Sequence, residues 1–196
     1  MTPDSRVIRP SLIYLLKSDL ERHYFYSGRA EKPVRSYHIW RNFLVPRCAP
    51  VGIYRLSRWL HEKRIKPLAK ILTWCNFFLF GTEIASNCQI GSHFYMPHAA
   101  GTVIGAMSIG HHAVIYHQVT LGAKEIMFGY AGRPVVGDNV FIAAGAKVIG
   151  DIVIGDGCII AANAVVNKST PINSLLVGVP AKASPVKRRP NDTVLY

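Results

Sequence analysis

The segment YMPHAAGTVIG at residues 95 to 105 holds one side chain that titrates near neutral pH, His98, among small residues with an apolar rhythm on either side. An imidazole titrates near neutral pH, so it can take a proton from an alcohol and return it. A lone histidine is ordinarily a satisfied structural residue, and the segment alone leaves both readings open. His117 joins it by register, because His98 is two residues past Met96 and His117 is two past Ile115 on a six-residue repeat. The two are expected to stack on adjacent coils, about 4.7–4.9 Å apart like neighbouring strands. A second imidazole there would hold a substrate oxygen, or simply pack. His111 and His112 follow the corner glycine Gly110, read as solvent-facing, and receive no role.

Two kinds of element must position these residues. Up to about residue 80 the apolar positions recur at helical intervals, as in Leu12, Leu15, Leu16, Leu20 and Ile53, Leu56, Trp59, Leu60. The spacing predicts helices near 10–24, 36–44, 49–63 and 67–80, with Ser11 and Ser36 as caps and Pro50 in a first turn. From residue 84 the period is six. Val136, Ile142, Val148, Ile154, Ile160 and Val166 are all branched aliphatics, and Val140, Ala146, Ile152, Cys158 and Ala164 follow the first five at four residues. Such a repeat is that of a solenoid whose short strands turn a corner every six residues, three sides closing one coil. Glycines and small polar residues after the corners allow the backbone to turn. The earlier run reads Ile84, Ile90, Met96, Val103, Ile109, Ile115, Leu121, with one step of seven just after His98. Residues 122–135 interrupt the repeat and are expected to form a loop extruded from the coil, where a solenoid collects its working residues.

The 196 residues suffice for one well-buried domain, with a smaller one appended, and 49% hydrophobic against 17% charged residues exclude a disordered chain. Charge is uneven: residues 1–82 hold 15 Lys and Arg against 5 Asp and Glu, whereas residues 83–196 hold 8 against 6. That basic half suits phosphates or an anionic membrane face, and no nucleic-acid module accompanies it. Four cysteines without CxxC spacing, and no secretory signal, indicate neither a metal site nor a disulfide framework, so a cytoplasmic location is expected. The apolar run ILTWCNFFLF at 71–80 is ten residues, about half of what spans a bilayer. It is expected to pack into the core, the alternative being a helix resting among lipid headgroups.

HAAGTVIG at 98–105, QVTLG at 118–122, IAAGAKVIGDIVIGDG at 142–157 and VGVPAKA at 177–183 together resemble the hexapeptide-repeat acyltransferases, in the serine acetyltransferase branch. The resemblance covers roughly residues 80–184. It implies a mainly β fold, a left-handed parallel β-helix with an N-terminal α-helical region. The expected division is a basic helical region at 1–82, the β-helix at 83–184 with its extruded loop, and a tail at 185–196. It implies acetyl transfer from acetyl-coenzyme A to a hydroxyl, with no metal, in a homotrimer whose sites lie between subunits, or in a hexamer of paired trimers.

By that resemblance His98 falls on the general base and Glu83 on the carboxylate that orients it, with His117 as a second imidazole. Coenzyme A positions fall on Gly122, Ala123, Ala144, Ala162, Lys168 and Lys182, small residues that admit the pantetheine arm and lysines that meet phosphates. Backbone amides after Leu121 are expected to hold the oxyanion. Serine acetyltransferases carry an aspartate before the catalytic histidine and an Arg-His pair in the loop. Here the acceptor-facing positions read Pro97 and Gly132-Arg133. With FLFGTEI at 78–84, these departures resemble the acetyltransferases of capsule, colanic-acid and exopolysaccharide synthesis. The expected acceptor is therefore a sugar hydroxyl of a polysaccharide or its precursor, carried on a lipid diphosphate that the basic half meets at the membrane's inner face. Serine O-acetylation and a non-catalytic β-helix scaffold are the alternatives.

Overall fold

The structure is a computed structural model, and it describes residues 10–124 and 132–186. Four helices precede the coil: α1 (Leu12–Tyr26), α2 (Ser36–Asn42), α3 (Ala49–Glu62) and α4 (Lys66–Phe80). They fall within a few residues of the helical periodicity. Ser11 caps α1, its Oγ accepting from the Tyr14 N–H at 3.2 Å. Ser36 does not cap α2. It is the first helical residue, Arg35 holds the cap position, and His38 Nδ1 accepts from the Arg35 N–H at 3.0 Å.

Three parallel sheets form the faces of a triangular coil. The first stacks Glu83–Ile84, Val103–Ile104, Thr120–Gly122, Lys147–Ile149 and Val165–Val166. The second stacks Gln89–Ile90, Ser108–Ile109, Val135–Val136 and Val153–Ile154. The third stacks Val114–Ile115, Phe141–Ile142, Ile159–Ile160 and Ser174–Val177, closed by Lys182–Pro185 as an antiparallel edge. The six repeat positions from Val136 to Val166 are buried, as are the five residues that follow at four. A buried branched aliphatic contributes roughly 1.5–3 kcal/mol, so the inward ladder holds the coil.

Register corrects one repeat position. Ile84 pairs with Ile104 and Glu83 with Val103, so the inward residue is Ile104, 0% exposed, and Val103 is 39% exposed. The step after Met96 is thus eight and the next is five. Two residues more than a hexad are spent in the turn that carries His98, and one is recovered before Ile109.

The helices are fastened to the first coil by a buried ion pair. Arg55 of α3 donates to both oxygens of Asp19 of α1, at 2.8 and 3.0 Å, and to the Ile90 and Gly91 carbonyls. Asp19 also accepts the Phe94 N–H at 2.9 Å, and the Tyr54 hydroxyl donates to the Cys88 carbonyl at 2.8 Å. Core packing of α4 is overturned: its buried residues are Ala69 and Asn76, while Trp74, Phe78 and Leu79 are 53%, 79% and 69% exposed. α4 packs chiefly on α3, and one neighbour cannot cover a helix that is apolar on several sides. No helix among the described residues is long and apolar enough to cross a membrane.

Candidate active site

His98 lies at the corner where the chain leaves the third face for the first, and its side chain is exposed. The turn is held from both neighbouring levels. Gly101 N–H donates to the Gly81 carbonyl at 2.8 Å, the buried Thr82 hydroxyl donates to the Ala99 carbonyl, and Gln118 N–H donates to the Ala100 carbonyl at 3.0 Å. Gly101, at φ +71°, supplies the left-handed backbone that reverses the chain there.

His117 stands on the next coil. Its ring is 5.7 Å from that of His98 and edge-on to it at 88°, and the Tyr116 ring is 6.3 Å from His98. The expected juxtaposition of the two imidazoles is present, perpendicular rather than stacked. Among the described residues the buried His117 Nδ1 has no hydrogen-bond partner.

The column continues through the repeat. Gly145 N–H donates to the His117 carbonyl at 3.0 Å and Asn163 N–H to the Ala144 carbonyl at 2.9 Å, so His98, His117, Ala144 and Ala162 occupy equivalent places on successive coils. Exposed Lys182 lies at the foot of this edge, paired with Val177. Pro97, beside His98, is buried and offers no polar group.

Gly122, Ala123, Lys168 and Arg133 stand on another corner, where the first face meets the second. Gly122 pairs with Ile149, and Gly150 N–H donates to the Gly122 carbonyl at 2.9 Å. The same register aligns Ala123, Gly150 and Lys168. Arg133 is on this edge too, where its charge partly offsets the effect of burial on the Cys88 thiol, which is pushed up to about 12. Gly122 lies five positions beyond His117, past the left-handed turn at Gln118 and at the far end of the strand Thr120–Gly122, so the first face separates the two edges. Glu83 is exposed on the first face, with its N–H donating to the Thr102 carbonyl at 2.9 Å. Among the described residues no ion pair joins it to His98. The oxyanion-loop expectation falls partly outside the described residues, which include Gly122, Ala123 and Lys124 but not 125–131; Lys187, Arg188 and Arg189 also lie outside them.

Two residues were missed. Lys147 lies between the two edges, paired with Thr120 and Val165, and its Nζ donates to the Gln118 carbonyl. Tyr116 forms a wall beside His98. Each is one step from a repeat position, so alternation alone puts it on the outer surface. Neither of two hollows, one among the helices and one between α1, α3 and the second face, is lined by His98. Within one chain the histidine edge is an open surface.

The family described as bacterial transferase hexapeptide (six repeats) matches residues 133–168. A serine acetyltransferase of Mycobacterium tuberculosis is 40% identical over 141 residues, 71% of this chain and 61% of that one. A serine acetyltransferase of Helicobacter pylori is 41% identical over 130 residues, 66% of this chain and 75% of that one. The serine acetyltransferase of Brucella abortus strain S19, solved in complex with coenzyme A, superposes with a TM-score of 0.72 at 29% identity, covering 86% of this chain and 66% of that one. The chain thus spans about 61% of the Mycobacterium relative's length. The coil is left-handed with an N-terminal helical region, as in the solved serine acetyltransferases. These likenesses overturn the placement nearest the polysaccharide acetyltransferases, and with it the sugar acceptor. Pro97 and Gly132-Arg133 are local departures, and identity over more than 130 residues outweighs them.

Proposed function

This chain belongs to the serine acetyltransferase family of hexapeptide transferases, and from that premise we propose that it moves acetyl from acetyl-coenzyme A to the hydroxyl of serine. The observation that carries the reading is the column of His98, His117, Ala144 and Ala162 on one outer edge. An exposed imidazole at its head can meet an alcohol, and the small residues below it leave a strip against which a thin pantetheine arm can lie.

His98 takes the serine hydroxyl proton as the oxygen attacks the thioester carbonyl. The tetrahedral oxyanion collapses, the carbon–sulfur bond breaks, and the departing thiolate receives the proton from the His98 imidazolium. General-base help of this kind is worth about 10²- to 10⁴-fold in rate. The neighbouring His117, its ring 5.7 Å from that of His98, supports the developing oxyanion or the acceptor. Glu83 offers its negative charge on the adjoining face rather than through a bond to His98.

A homotrimer completes the site. When the Gly122, Ala123 and Lys168 edge of one copy faces the His98 edge of the next, the two sets enclose one groove. Arg133 then comes to the acceptor's carboxylate, a partner for which Pro97 provides no substitute.

The test is thiol release from acetyl-coenzyme A in the presence of L-serine. The parent chain is expected to release thiol in a serine-dependent way and His98→Ala to lose at least about 100-fold of it. No serine-dependent release, or full activity in the variant, would refute the assignment.

A further inference from the structure

A small cavity of about 40 Å³, separate from the histidine edge, lies where α1, α2 and α3 meet the first coil. That is room for roughly three water-sized groups. Its interior is apolar, formed by Leu16, Leu20, Ile39, Val51 and Met96 among others. Apolar cavities of this size gain nothing from water and take small apolar groups instead.

Its rim has different chemistry. His23 and Arg47 line it, and Arg47 is exposed to solvent. Among the described residues the buried His23 Nδ1 has no hydrogen-bond partner. Burial, then the charges of Arg47 and Arg29, hold the His23 imidazole below its ordinary value. Among the described residues neither arginine has a carboxylate within ion-pair distance. The carboxylate that does line the cavity, Asp19, is engaged by Arg55 and by the Phe94 N–H. Cys48, also on the wall, is kept a neutral thiol by burial, pushed up to about 12, so the cavity holds no nucleophile.

We propose that this cavity binds a short-chain aliphatic carboxylate, its two- to four-carbon tail among the leucines and its head between His23 and Arg47. The apolar end selects the tail, the Arg47 guanidinium at the rim selects the anion, and the arginines repel an ammonium. The bound molecule touches Tyr95 and Met96, from which the chain turns to His98, without reaching the histidine edge. The inference stands whether or not serine is the acceptor.

Thermal unfolding of the full chain, at constant ionic strength, is measured against butyrate, propionate, butyramide and sodium chloride. Butyrate is expected to raise Tm saturably, propionate less, and butyramide and chloride not at all. Arg47→Gln, on the exposed rim, is expected to weaken butyrate at least tenfold, and Val51→Phe, which fills the cavity, to abolish binding. His98→Ala is expected to bind as the parent does, which separates this site from the acetyl-transfer groove. An equal response to butyramide, an unchanged affinity in Arg47→Gln, or loss of binding in His98→Ala overturns the proposal.

Discussion

Asp19 and Arg55 are buried side by side, and every polar atom between them is engaged. Removing one partner leaves the other charge without water or a counter-ion, which typically costs about 3–5 kcal/mol. Asp19→Ala is therefore expected to lower unfolding free energy by about that much in urea titration, and Asp19→Ala with Arg55→Met to recover most of it. A loss under about 1 kcal/mol in the single variant would mean that the pair does not fasten α1 to the coil. Nothing in the sequence couples these two positions, 36 residues apart. His98 and His117 differ, because a repeat written in the chain aligns them in advance. What the repeat could not say is that two extra residues widen the turn after Met96 and present His98 to solvent.

At the scale of elements, α1 meets the coil through a histidine cluster. His93 and His112 stack at 4.4 Å and 13°, and the Ser92 hydroxyl lies 3.1 Å from His93 Nδ1 and 2.9 Å from His111 Nδ1. Burial holds His93 below its ordinary value, with Arg22 and His111 adding to this and Glu21 and Asp19 opposing. Burial, then His93, Arg22 and His111, holds His112 low against the pull of Asp138. Imidazoles depressed in the fold bind fewer protons than in the unfolded chain, so their contribution is present above about pH 6.5 and is lost as pH falls through the lower folded values. Tm is expected to fall between pH 7 and pH 5, with a shallower slope in His112→Asn. Equal slopes would place the titration elsewhere. Helix positions were legible from period and caps. The cap of α2 was not, because Ser36 and Arg35 compete for one turn and the His38 side chain decides it.

At the scale of the molecule, the candidate residues stand on two corners of the coil, and the proposed homotrimer brings the two corners of neighbouring copies together at each site. Among the described residues a Cβ at Gly122 would meet nothing within 4 Å, so Gly122→Trp is expected to fold, with far-UV circular dichroism as the check. Gly122→Trp and His98→Ala are each expected to be inactive, and an equal co-expressed mixture to regain about one quarter of parental activity by random assortment in a closed ring. No recovery would put both edges' work within a single chain. The exposed face of α4 belongs to this scale as well, since a sequence window cannot tell a core helix from one left uncovered by its own chain. The chain by itself determined the coil, the inward ladder, the helices and the pairing of two imidazoles, because each is a local period of side chains against a regular backbone. Tertiary structure alone decided which residue of Val103 and Ile104 turns inward, that Arg55 closes on Asp19, and that the candidate residues divide between two corners. Those outcomes depend on which distant segments become neighbours, and on how backbone register and burial settle between them, which no local spacing encodes.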